Sequence, residues 1–70
     1  MSVTSIVFAA LMKMLETKQP IAAEDLIKAM SEEGHDKVEA RRAVQLGFER
    51  GLIELDSKMR IVIAEHVIAA

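Results

Sequence analysis

Cysteine is absent from this chain. Disulfides and thiolate metal sites are thereby excluded, and the composition suits a reducing compartment, so a cytoplasmic location is expected. Tryptophan and tyrosine are absent too, leaving Phe8 and Phe48 as the aromatic residues. The core must then be aliphatic, with methionine, present five times, filling irregular gaps. Pro20, Gly34 and Gly51 fall where helices are read to end. No apolar run approaches the roughly 18 residues of a membrane-spanning helix, so no membrane partner is expected. No basic stretch followed by a long apolar segment opens the sequence, so no signal peptide is expected.

The same scarcity argues against catalysis. The two histidines, His35 and His66, are far apart with no thiol to join them, and a metal site needs three or four ligands. Glu24-Asp25 and Glu32-Glu33 read as solvated pairs at helix ends, not as carboxylates whose pKa values a pocket drives apart. Ser31 and Ser57 have no base in view. Gly47 and Gly51 do not make a phosphate-binding loop. An enzyme is not expected, nor a cofactor or metal.

What is present is a single domain, residues 1–70, half of it apolar. A domain of this size buries only about 60% of the surface its unfolded chain exposes, so its core is marginal. Net charge is −2, which counts against a broad basic footprint for nucleic acid. The distribution is uneven. Residues 1–34 carry three lysines against five acids, whereas residues 35–60 carry six basic groups against five acids.

Taken in order, Met1 to Thr17 reads as a helix with Val3, Val7, Ala10, Leu11 and Met14 on one stripe. Ile6, Phe8, Met12 and Leu15 extend apolar character far beyond that stripe, which a surface helix ordinarily avoids. Pro20 stops the helix and pushes Gln19 toward an extended conformation. Ala22 to Glu33 is a second helix, with Glu24 and Asp25 favourably placed in its first turn. Asp36 can cap a third helix, 36–50, with Glu39 three residues on. Ala40, Ala43, Val44, Gly47 and Phe48 recur at helical spacing and mark its buried face. Gly51 sits where a left-handed residue ends a helix. The period then becomes two: Ile53 and Leu55 alternate with Glu54, and Met59, Ile61 and Ile63 with Arg60 and Val62, across an Asp56-Ser57-Lys58 turn.

A third helix, a glycine and a hairpin, with R-G-L-I-E-L-D-S at the junction, resemble the second half of a winged helix-turn-helix domain. The resemblance implies an α+β fold of three helices and a C-terminal hairpin wing, with a very short first strand at Pro20-Ile21. It also implies a Gly34-His35 turn joining the helix pair. Ala22 departs from the Ser or Thr that many winged domains place there.

Arg41, Arg42 and Gln45 form the one constellation with a chemistry. Arginine can bond guanine bidentately and glutamine can do so with adenine. On a third helix of this kind they would face the major groove, while Lys37, Lys58 and Arg60 would meet phosphates. A merely solvated face would instead pair Glu49 with Gln45 or Arg42. Val38 on the same side is odd for such a face. The leading expectation is a small regulator or accessory factor that binds double-stranded DNA. The alternative is a protein-interaction module or adaptor that leaves nucleic acid alone.

The expected core is Val7, Leu11, Met14, Leu26, Ile27, Met30, Ala40, Val44, Phe48, Leu52, Ile53, Leu55, Ile61 and Ile63. A homodimer is expected through Ile6, Phe8, Met12 and Leu15 of the first helix together with Val67 and Ile68, because left in water these side chains would make an uncommon apolar patch.

Overall fold

The first helix, α1 (Val3–Lys18), stops just before Gln19-Pro20, where the proline ring fixes φ and removes a donor. The structure, a computed structural model, describes residues 3–64; the expected contributions of Val67 and Ile68 lie outside these. The second helix, α2 (Ala23–Glu32), starts with no side-chain cap at Ala22. Gly34 ends it at φ +96°. The Gly34 N–H donates to the Ser31 carbonyl and the His35 N–H to the Met30 carbonyl, both at 3.0 Å. These are the two bonds of a Schellman cap.

Asp36 opens α3 (Lys37–Glu49), its carboxylate accepting from the Glu39 N–H at 3.1 Å. The exit repeats the device used by α2. Gly51 takes φ +69°; its N–H donates to the Phe48 carbonyl at 3.1 Å, and the Leu52 N–H donates to the Gly47 carbonyl at 2.9 Å. The chain leaves this turn as β1 (Ile53–Leu55), paired antiparallel with β2 (Ile61–Ile63), Ile53 opposite Ile63 and Leu55 opposite Ile61. Ile21 joins the other edge of β2, exchanging backbone bonds with Ile61 at 3.2 and 2.7 Å. The Gln19 side chain accepts from the Ile63 N–H at 2.8 Å and satisfies the next donor on that edge. Three helices and a C-terminal hairpin make an α+β fold with the layout of a winged helix-turn-helix domain.

Leu11, Leu15, Leu26, Met30 and Ile61 are the largest fully buried side chains, joined by Val7, Met14, Ala40, Ala43, Val44 and Ile53. Three expectations need correction. Phe48 is 38% exposed and Leu55 is also exposed, so neither belongs to the core. Leu15, expected at a subunit contact, is fully buried within the chain. The cause is helical geometry. Four residues advance a helix by about 40° beyond a full turn. Val44 already lies at the rim of the buried stripe centred on Ala40, Ala43 and Gly47, so Phe48, one turn later, rotates out of it. On α1 the same precession swings Leu15 into the core alongside Leu11. Ile27, Leu52 and Ile63, also expected in the core, are half-buried.

The strand alternation read back to Met59 also fails: β2 starts at Ile61, and Met59 lies in the turn at φ +65°. The turn is built on Asp56. Its Oδ1 accepts from the N–H groups of Lys58 and Arg60 at 2.9 and 2.8 Å, and its carbonyl accepts from the Met59 N–H at 3.0 Å. A left-handed conformation strains any side chain with a Cβ, and Met59 is 69% exposed, so little burial offsets the strain. Met59→Gly is expected to raise stability by about 0.5–1 kcal/mol, after subtracting glycine's extra chain entropy. A urea midpoint that falls instead would show that the methionine side chain holds the turn.

Candidate nucleic-acid interface

The line on α3 directly opposite the buried Ala40, Ala43 and Gly47 runs through Val38, Arg42, Gln45 and Glu49, with Lys37 and Arg41 on its flank. All six are exposed. No other described element packs over them, because α1 and the hairpin occupy the opposite side of α3 and α2 abuts its edge. The structure thus places Arg42 and Gln45 on a surface that no described element covers, with Lys37 and Arg41 exposed on its flank toward α2.

Their partners differ. Arg42 Nη1 donates to Glu39 Oε1 at 3.1 Å, and Gln45 Nε2 donates to Glu49 Oε2 at 3.1 Å. Arg41 and Lys37 take no part in an ion pair among the described residues; the two pairs there are Arg42–Glu39 and Arg60–Asp56. Arg41 and Lys37 line one wall of a cleft of about 250 Å³ whose other wall is Glu24, Asp25, Ile27 and Lys28 of α2. Among the described residues no ion pair spans this cleft. Sequence reasoning placed Glu24 and Asp25 at a helix start and missed this proximity. Only the packing of α2 on α3 reveals it.

On the wing, Lys58 is exposed, and its backbone rather than its side chain is engaged. Arg60 is committed differently: Nε and Nη2 both reach Asp56 Oδ2 at 3.0 Å. The Asp56 carboxyl is held below the usual aspartate value chiefly by the Arg60 N–H, against an opposing effect of desolvation, with further help from the Lys58 N–H and the Arg60 guanidinium. The pair therefore stays ionised to lower pH than an ordinary aspartate would allow. Arg60 braces the hairpin turn, and Lys58 stays exposed with no ion pair among the described residues.

The residues expected at a subunit contact do not form one surface. Phe8 and Met12 pack partly against the core, Leu15 is within it, and Ile6, 51% exposed, lies on the other flank of α1. Between these flanks the outward face of α1 is Ser5, Ala9, Lys13 and Glu16, so the helix has the polar side its sequence seemed to lack. Among the described residues no helix is long and apolar enough to cross a membrane. No family model matches the chain, and neither a curated protein nor a solved structure gives a significant match.

Proposed function

We propose that this chain is a small DNA-binding module of the cytoplasm, a regulator or accessory factor, that lays the N-terminal half of α3 in the major groove. The observation that carries the reading is the set Lys37, Arg41 and Arg42, all exposed on the first two turns of α3. Arginine in that position reads guanine, and the residues near the start of such a helix reach the base edges. Lys58 on the wing contributes a phosphate contact that positions the module without reading sequence.

A second reading has its own support. Glu24 and Asp25 stand beside Lys37 and Arg41, Glu49 holds Gln45, and the net charge is −2. Those acids favour a partner protein over a polyanion. Titration with salt separates the two. DNA binding should weaken with a logarithmic slope of about −0.9 per phosphate neutralised. Arg41→Ala should cost about 1–3 kcal/mol in affinity and blur preference at one base pair, with the unfolding midpoint unchanged. No retention of any duplex at low salt would end the DNA reading in favour of the adaptor.

A homodimer through α1 is proposed on Ile6, the large apolar side chain left well exposed among the described side chains of that helix. Sedimentation at the highest soluble concentration tests it with Ile6→Glu. A dimer that dissociates in the variant supports the contact, and a monomeric parent chain removes it.

A further inference from the structure

Val38 is the anomaly on the proposed DNA-binding face. It is 56% exposed and points away from the core, in the first turn of α3. Nothing local calls for it. Valine is a modest helix former, and a first turn favours acids over apolar groups. Its neighbours are Lys37 and Glu39 beside it in the chain and Arg41 and Arg42 one turn on, with Arg42 paired to Glu39. Val38 is thus a lone branched apolar group within a cluster that is basic on balance. It is not an apolar patch of the few hundred Å² that marks a protein-docking surface. On the DNA reading the three cations meet the polyanion, and the valine calls for a small apolar group fixed within it. In the major groove the 5-methyl of thymine is that group, and it is the feature that apolar side chains contact there.

We infer that Val38 packs on a thymine 5-methyl, at a base pair next to one read by Arg41 or Arg42. The inference rests on the DNA reading above and names what part of the target must contain. Valine has no donor or acceptor, so it discriminates by contact with the methyl alone. The thymine requirement should therefore be one of the base and not of duplex shape.

The test uses the full chain and the tightest duplex recovered from a random-sequence pool. Each thymine is replaced singly by deoxyuridine, which removes the methyl and keeps the pairing. At one position the substitution should weaken binding roughly threefold to fivefold, the effect of a buried methyl-sized group. Val38→Ala should lose a similar factor on the thymine duplex and become indifferent to deoxyuridine at that position. Its unfolding midpoint should stay with the parent, because Val38 buries little. If every deoxyuridine duplex binds the parent chain as tightly as thymine while Arg41→Ala still weakens binding, the methyl contact is wrong and the DNA reading stands. If Val38→Ala binds the selected duplex undiminished, the contact is likewise wrong. Failure to recover any duplex overturns both.

Discussion

Replacing Leu11 with alanine is expected to unfold a large part of the population under conditions where the parent chain is folded. Leu11 is fully buried at the centre of α1, in the cluster with Val7, Leu15, Met30, Val44 and Ile61. Truncating such a leucine removes its transfer free energy and leaves a cavity, about 2–5 kcal/mol together. A domain of this length has a total stability on the order of 3–10 kcal/mol at about 0.05–0.15 kcal/mol per residue. The informative comparison is Phe48→Ala. A buried phenylalanine would cost at least as much as Leu11, but Phe48 is 38% exposed, so about 1–2 kcal/mol is expected from the area actually lost. Chemical denaturation of both variants checks the order. If Phe48→Ala is the more damaging, the rotation of α3 about its axis is wrong, and the outward face assigned to Arg41 and Arg42 is wrong with it.

Gly47→Val is expected to be the most damaging small substitution in α3. Gly47 is helical, so its backbone conformation is not the reason for glycine. Its place is. A Cβ there would stand 2.9 Å from both Cγ1 and Cδ1 of Ile53 and 3.4 Å from Cε1 of Phe8. Valine adds two more carbons to that space. The loss should reach about 3 kcal/mol, the upper end of overpacking. Removing glycine from a helix interior recovers at most about 1 kcal/mol of that. Gly47→Ala, which adds only the Cβ, should lose less because the end of Ile53 can shift. A stable Gly47→Val would mean that β1 does not lie against α3 here, and the hairpin would have to sit elsewhere relative to the outward face of α3.

A protein of net charge −2 binds DNA only by segregating its charge. The described surface does this in part. The first half of α3 carries Lys37, Arg41 and Arg42 against Glu39, and its end carries Glu49 with the capping residue Arg50. Glu24 and Asp25 across the cleft temper the basic end. If the proposed DNA reading holds, discrimination among sequences has to come from few contacts, which would give a single methyl contact by Val38 more weight than on a strongly basic surface.

The amino-acid sequence alone determined the features whose causes are local. Pro20 ended α1, Asp36 capped α3, and Gly34 and Gly51 took the left-handed positions that close α2 and α3. The change from a helical to a two-residue period after Gly51 placed the hairpin. Each of these follows from the backbone limits of one residue and neighbours within a turn. The exposed side bearing Lys37, Arg41, Arg42 and Gln45 was legible for the same reason, since spacing along one helix fixes which residues share a side. Only the tertiary structure decided what depends on the neighbouring elements. It put Leu15 in the core and Phe48 at its rim, because a period of three or four residues leaves the edges of a stripe undefined until another surface covers one of them. It held Met59 in the turn and tied Arg60 to Asp56, because a three-residue strand leaves the alternation too short to mark its own start. And it set Glu24 and Asp25 across a cleft from Lys37 and Arg41, a placement decided by how α2 packs on α3 and carried by no spacing along the chain.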